Sequence, residues 1–431
     1  MTDQMQLSKQ PAARATPVVN SYNEWDPLEE VIVGVLDGAA ILPWEIGLGA
    51  VKPEEHVRAG KLYHSMSGGK LVPPESYAKA KQQLAGFVSI IEQFGATVRR
   101  PEAIVHTAPF GTPEWSSPGG NCQANPRDVL IVFGDEILEA TMAMRSRYFE
   151  FFAYRELVKD YFKRGARWTT APKPRLDDRA FNKDYKRGEE YVITEYEPLF
   201  DVADMARCGR DVFIQLSHVT NRFGVEWLER HFGDQYRFHV VEFEDDRALH
   251  IDATFVPLRP GLIMTNPDRP LKYMPDVLKK GGWDLVDAPR STFPKDDPGY
   301  QSFLWLSMNV LSLDEKHVVV EETAKPLRRP LPLRHGRPSP PRGPSTVLLG
   351  VAAGHAARFQ IWLFLARAFG PGDHGLARPH HQIAARVVFA LCMQALAQRR
   401  ERQRIGNDHR ARIADQHEAR AAGFGDLPHK P

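Results

Sequence analysis

The sequence predicts an α/β fold assembled from one supersecondary unit used several times, and three observations carry that expectation. Four times, a helical stretch ends at a glycine and runs into a β-rich segment. Pairs of short apolar runs that read as hairpins lie between these helices. The pattern then stops near residue 325, where the composition changes.

Residues 31–35 read as a first strand. Residues 76–94 carry Leu84, Phe87, Ile90 and Ile91 at helical spacing, stop at Gly95 and lead into a strand at 96–99. A hairpin is expected at 129–133 and 136–140 around Gly134-Asp135. A helix at 147–164 presents Phe151, Tyr154, Leu157, Val158 and Tyr161 on one face, with Gly165 at the C′ position and a strand at 166–170. The third copy is 225–232, Gly233 and 236–243. A second hairpin, 253–258 and 262–265, turns at Arg259-Pro260-Gly261, and the fourth copy follows as 274–280, Gly281-Gly282 and 283–286. Residues 310–313 and 318–320 open a fifth. Each unit reads as ββαβ. One copy cannot bury both faces of its sheet, so the units must pack together, and a closed ring would leave no exposed ends. The fifth helix, due near Thr323, is replaced by Pro326, Pro330, Pro332, Pro338, Pro340, Pro341 and Pro344. An interior proline costs a helix about 3 kcal/mol, so no helix is expected there.

At 42% hydrophobic and 26% charged, the 431-residue chain is neither disordered nor collagen-like. The formal net charge of +2 conceals a division. Residues 326–431 hold 17 Lys+Arg against 6 Asp+Glu, and the remainder holds 39 against 48. Cys122, Cys208 and Cys392 cannot form a disulfide framework, which fits a reducing cytoplasm. Residues 1–18 are polar, without the apolar core of a secretory signal, and read as a flexible terminus. The longest apolar stretch, 347–369, is interrupted by His355, Arg358, Gln360 and Arg367. A charge at the bilayer centre costs roughly 2.5–3.5 kcal/mol, so no membrane span is expected. No Gly-rich phosphate loop or metal-ligand spacing appears, so neither cofactor nor metal is expected.

The chemistry-bearing segments are short. His250-Ile251-Asp252-Ala253-Thr254-Phe255 alternates, which on a strand places His250, Asp252 and Thr254 on one face. Asp201-Val202-Ala203-Asp204 reads either as a carboxylate at a strand end or as a helix N-cap. Asn125-Pro126-Arg127-Asp128 reads as a turn that opens the first hairpin. Asn266-Pro267-Asp268-Arg269-Pro270 closes the second hairpin, with Arg269 suited to gripping a carboxylate.

Taken in order with Val19-Asn20-Ser21-Tyr22-Asn23-Glu24-Trp25-Asp26-Pro27, Met144-Arg145-Ser146-Arg147, Ala166-Arg167-Trp168-Thr169-Thr170-Ala171-Pro172-Lys173-Pro174, Glu197-Pro198-Leu199-Phe200-Asp201 and Trp305-Leu306-Ser307-Met308-Asn309, these segments resemble the glycine and inosamine-phosphate amidinotransferases. The resemblance spans about 19–323. It implies a five-bladed α/β propeller of the pentein type, and transfer of an amidino group from L-arginine to an amine through an amidino-cysteine. A guanidinium is a planar, poor electrophile, so carboxylates must orient it toward the sulfur, and an acid/base must serve the leaving and entering amines. By resemblance His250 is that acid/base and Asp201 its partner. Asp128 and Asp252 hold the guanidinium, Arg269 holds the substrate carboxylate, and Ser302 lies near the substrate. The resemblance implies small-molecule substrates, no nucleic-acid or membrane partner and no cofactor, and it admits a homodimer.

The family's nucleophile follows a histidine in a Gly-rich segment of the last blade. Spacing places that segment near 350–360, where Gly354-His355-Ala356-Ala357 has no cysteine. Residues 326–431, rich in Arg, Pro, Ala and His with a single lysine, Lys430, and no tyrosine, have the composition that GC-rich coding DNA yields out of frame. The expected organisation is therefore a flexible terminus at 1–18, four blades at 19–323, and a frame-shifted, foreign tail at 324–431. Two other readings compete. One is an arginine-deiminase-type hydrolase, which also needs the cysteine. The other is a non-enzymatic protein whose cluster Arg399-Arg400-Glu401-Arg402-Gln403-Arg404 binds nucleic acid.

Overall fold

The computed structural model describes residues 17–290, 305–321, 345–349 and 361–365, all within one compact unit. Among them the strands form five three-stranded sheets and one two-stranded ribbon. Three of the sheets repeat one plan. Leu130–Phe133 pairs antiparallel with Glu136–Glu139, and after the helix Arg155–Lys163 the strand Arg167–Thr170 joins parallel to the second strand. Met205–Cys208, Asp211–Gln215, the helix Arg222–Phe232 and Arg237–Val241 do the same. So do Phe255–Arg259, Leu262–Thr265, the helix Asp276–Gly281 and Asp284–Asp287. A tight hairpin forces the antiparallel pair, and the helical crossover forces the parallel one.

The first and fifth sheets depart from this plan. In the first, Leu28–Val33 lies between Thr97–Arg99, parallel after the helix Pro74–Phe94, and Ser345–Leu349, also parallel. In the fifth, His317–Glu321 lies between Leu311–Ser312, antiparallel, and Ile361–Leu365, also antiparallel. The repeated unit calls for the opposite direction at both tail-supplied positions. The sequence leaves 324–431 outside the fold, yet two short pieces of it are paired. Both are apolar runs, and the open edge of a sheet offers backbone N–H and C=O groups to any such run.

Successive sheets share cores. Ile32 of the first sheet packs in one cluster with Ile131, Phe133 and Leu138 of the second and Val212 and Ile214 of the third. Phe213 of the third joins Phe255 and Ile263 of the fourth. Leu258 and Met264 of the fourth join Trp305 and Met308, with Val318 of the fifth packed against them. Leu311 and Val319 of the fifth then join Leu28, Val31 and Val33 of the first beneath Leu84, Phe87 and Ile91. Each fully buried Leu, Ile or Phe contributes roughly 1.5–3 kcal/mol, so the interfaces between sheets carry much of the stability.

The helix stops fall at the expected glycines. Gly95 (φ 102°) and Gly165 (φ 110°) take left-handed conformations that an L side chain resists. After Gly95, the N–H of Ala96 reaches the carbonyl of Ile91 at 3.2 Å and completes the cap.

Four local expectations are corrected. Residues 147–164 are not one helix: 3₁₀ turns at Arg145–Arg147 and Glu150–Tyr154 precede the α-helix Arg155–Lys163. The third sheet has its own hairpin, turning at Gly209 (φ 73°), which sequence reading did not name. A helix at Glu54–Ser67 was also not anticipated, although Pro53, Glu54, Glu55 and the closing Gly68-Gly69 signal it. Residues 250–255 do not form a strand. His250 has φ 54°, Ile251–Ala253 is a 3₁₀ turn closed by Thr254 N–H on the Ile251 carbonyl at 2.9 Å, and the strand begins only at Phe255. Ser302, the proline-rich segment, Cys392 and the Arg399–Arg404 cluster lie outside the described residues, as does all but the end of the N-terminal stretch.

Candidate active site

The candidate residues occupy equivalent places in successive units, each in a short turn just before the first strand of a sheet. Asp128 lies in the single helical turn Pro126–Val129, ahead of Leu130–Phe133. Asp201 precedes the 3₁₀ turn Val202–Asp204, ahead of Met205–Cys208. His250 and Asp252 belong to the turn at Ile251–Ala253, ahead of Phe255–Arg259. Asn309 follows the turn Leu306–Met308, ahead of Leu311–Ser312. These turns touch in succession: 126–129 meets 202–204, which meets 251–253, which meets 306–308. A repeated fold thus brings residues from four distant stretches of chain to one place.

Buried arginines fasten the turns. Arg127 donates to the carbonyls of Val202 and Met205, which ties the Asp128 turn to the Asp201 turn. Its charge, with that of Arg207, faces Glu24, and together they hold the Glu24 carboxyl down at about 2 against the opposing effect of burial. Arg207, 1% exposed, also donates to Ser21 Oγ at 2.8 Å and so binds the opening motif to the second and third sheets.

His250 is the centre of the cluster. Its Nε2 lies 3.2 Å from Asp201 Oδ2, and its Nδ1 lies 3.8 Å from Asp128 Oδ1. A positive φ at a histidine is strained backbone, held here by these polar contacts. Burial opposes the imidazolium, but the charges of Asp128, Asp201 and Asp204 and the Asp201 hydrogen bond outweigh it, and His250 is pushed up to about 10. Asp204 is fully buried and accepts from Ser217 Oγ and Thr220 Oγ1, both at 2.6 Å, and from Gln215 Nε2 at 3.1 Å. Burial raises its carboxyl to about 7 although the His250 charge pulls the other way. Asp252 accepts from Asn309 Nδ2 at 2.8 Å, and burial raises its carboxyl against the charge of His250.

Behind Asp128 and Asp201 stands Arg147, 6% exposed. Its Nη1 is 2.9 Å from Asp128 Oδ2 and 3.8 Å from Asp201 Oδ2, while Nε and Nη2 fork onto Glu150 at 2.8–3.1 Å. Asp201 Oδ1 is buried without a hydrogen-bond partner among the described residues. A buried, unpaired carboxylate oxygen is costly, so this atom is a waiting acceptor for a donor that enters the cluster.

The structure therefore gathers Asp128, Asp201, His250 and Asp252. At Asp201 it has the N-cap position of a 3₁₀ turn, but the side chain makes no capping bond and turns to His250 instead. Arg269 is engaged elsewhere: its Nη1 lies 3.0 Å from Asp245 Oδ2, and the other charges that act on it are Arg247, Asp246 and Asp268. Sequence reading missed Arg147, Glu150, Asp204 and the role of Asn309. The i,i+3 spacing of Arg147 and Glu150 was the one readable signal. Neither described cysteine is prepared for nucleophilic attack. Burial pushes the Cys122 thiol up to about 12, and it raises Cys208 as well. A separate cavity of about 570 Å³, lined by Trp44, Lys61, Arg145, Phe181 and Tyr185 among others, includes none of the His250 cluster.

The arrangement can hold a planar cationic donor between carboxylates and keep a charged imidazole beside it. Known proteins locate that capacity. No protein-family model matches the chain. Glycine amidinotransferase, mitochondrial, of Danio rerio is 43% identical over 331 residues, covering 74% of this chain and 77% of that protein. L-arginine:L-lysine amidinotransferase of Pseudomonas savastanoi pv. phaseolicola is 45% identical over 317 residues, covering 72% and 85%. Among solved structures, the amidinotransferase SxtG of the saxitoxin pathway of Microseira wollei superposes with TM-score 0.70 at 39% identity, covering 83% of this chain and 99% of that one. The inosamine-phosphate amidinotransferase StrB1 of Streptomyces griseus gives 0.66 at 32% identity, with the same coverage. The class is thus that of enzymes that transfer amidino groups. This chain belongs to the amidinotransferase family.

Proposed function

We propose that the chain descends from an L-arginine:amine amidinotransferase and retains the arginine-recognition half of that site without its nucleophile. The observation that carries this reading is the His250 imidazole set between Asp201 and Asp128, with a buried Asp201 oxygen that has no hydrogen-bond partner among the described residues. In the ancestral reaction a cysteine thiolate bonds to the guanidinium carbon of arginine and the bond to the δ-nitrogen breaks. His250 supplies the proton with which ornithine leaves. It then takes a proton from the acceptor amine as that nitrogen displaces sulfur. Asp128 and Asp252 orient the guanidinium, Asp201 partners His250, and Arg269 and Ser302 belong to the recognition of the arginine carboxylate end. The acceptor is a primary amine, glycine or an aminocyclitol phosphate.

On this reading the five sheets are the blades of a five-bladed propeller, supported by the cores that each sheet shares with the next and the fifth with the first. Residues 19–323 make up that propeller. Residues 324–431 are a frame-shifted replacement of the last part, which leaves the protein inactive in a cytoplasmic setting. The repeat supports this in a second way. Four sheets are preceded by a turn that bears a site residue. By the same plan a fifth such turn would precede a strand antiparallel to Leu28–Val33, and the family's His-Cys segment is expected in that turn. Among the described residues no helix is long and apolar enough to cross a membrane.

The test is ornithine release from L-arginine and a panel of amines, with a frame-restored chain and the present chain side by side. Release by the restored chain alone is expected. Release by the present chain, or citrulline in place of ornithine from the restored one, overturns the proposal, the latter in favour of a hydrolase.

A further inference from the structure

Arg147 has no role in the assigned chemistry, yet it touches both carboxylates that flank His250. Its guanidinium is used on every side. One edge forks onto Glu150, itself 2% exposed, and the remaining nitrogen faces Asp128 Oδ2 and Asp201 Oδ2 at 2.9 and 3.8 Å. The consequence is a division of oxygens. The Asp128 oxygen turned away from Arg147 is the one that faces His250 Nδ1, and the Asp201 oxygen farther from it is the unpaired Oδ1. Asp128, Asp201, Asp204 and Asp252 crowd four carboxyl groups around the single His250 imidazolium, and Arg147 brings a second fixed cation to two of them. A guanidinium can serve two carboxylates at once and cannot itself be deprotonated, whereas a lysine ammonium is a point charge without the fork.

We propose that Arg147, locked by Glu150, is a positioning residue that keeps Asp128 and Asp201 ionised and fixes their carboxylates so that one oxygen of each stays off its own guanidinium and is left for the substrate's. The role rests on the arginine-binding reading above, but its test need not. The buried pair Arg147–Glu150 spans one 3₁₀ turn and the start of the next, Arg145–Arg147 and Glu150–Tyr154, so the cation is set by local backbone and not by a mobile side chain. Burial raises Glu150 to about 7 against the pull of Arg147, which marks a carboxylate that needs its arginine as much as it holds it.

Two measurements on the full chain decide the matter, each with Arg147→Gln, Arg147→Lys and Glu150→Gln. The first is calorimetric titration with L-arginine across pH 4–9. Arginine affinity should fall on the acid side as the carboxylates take up protons. In Arg147→Gln that limb should move up by about one pH unit, a roughly tenfold loss of affinity at the pH of the limb. Arg147→Lys should recover part of the shift, and Glu150→Gln, which removes a like charge and keeps the guanidinium, should leave the limb in place or move it down. A merely structural role lowers the melting temperature or weakens binding evenly and leaves the limb in place. The second is titration of the Asp128 and Asp201 carboxyl carbons by NMR, without ligand. Raised midpoints in Arg147→Gln support the proposal even if the unsubstituted chain binds no arginine, a result that would count only against the functional reading. Unchanged midpoints overturn it. Should Arg147→Gln not fold, the midpoints of Arg147→Lys decide in the same way.

Discussion

The second, third and fourth sheets and the pair formed by the first and fifth solve the same folding problem with different success. In the former group, each unit supplies all three of its strands from one stretch of chain, and strand direction follows from hairpin and crossover. In the latter, the third strand comes from the tail, and both tail strands run opposite to the direction that the unit sets. Their order along the chain is also crossed, since the earlier segment completes the first sheet and the later one the fifth. The difference teaches that an open sheet edge selects for apolar, β-prone residues but not for direction, which only the connection imposes.

If the tail strands merely fill edges, core truncation should separate the two regions sharply. Phe133→Ala removes a buried ring that packs on Phe232 and Tyr236, and it should cost about 3–5 kcal/mol in urea unfolding. On that premise Leu348→Ala should cost less than about 0.5 kcal/mol, the ordinary range for a substitution that disturbs none of the scaffold's own packing. Equal losses at the two positions would make the tail a true part of the scaffold and break the comparison.

A smaller effect isolates the site within the regular region. The folded-state pKa of His250 lies above its unfolded value, so its contribution to stability is full below about 6.5 and is lost as pH rises through about 10. Asp204, raised from 3.8 to about 7, works in the same sense in a lower window, and stability is lost as it ionises on the way up to about pH 7. The melting temperature should therefore fall between pH 7 and 10 more steeply in the unsubstituted chain than in His250→Asn. Parallel curves would mean that the imidazole is neutral in the folded protein.

Sequence reading reached what local chemistry dictates and stopped where partners are remote. The helix ends at Gly95 and Gly165 were legible because the left-handed cap is a one-residue requirement. The third hairpin was not, because Arg207, Asp211 and Gln215 break the apolar alternation. The reason for Arg207 is Glu24, far away in the chain. At 250–255, genuine alternation of polar and apolar residues predicted a strand, whereas the backbone turns at His250 and uses the same residues to aim an imidazole. Asp128, Asp201, His250 and Asp252 were recognisable by resemblance. Arg147 and Asp204 lie in the resembling segments but received no role, since each acquires its meaning only when the successive turns meet.

The central claim is that the tail replaces a last segment of different sequence. Resequencing the coding DNA from about codon 310 to the end, and reading it in all three frames, tests that most directly. The account predicts a second frame, open from near codon 323–327, that encodes a Gly-rich segment with adjacent histidine and cysteine and then an apolar strand able to pair antiparallel with Leu28–Val33. Confirmation of the present frame, with no such segment in either alternative, would contradict it.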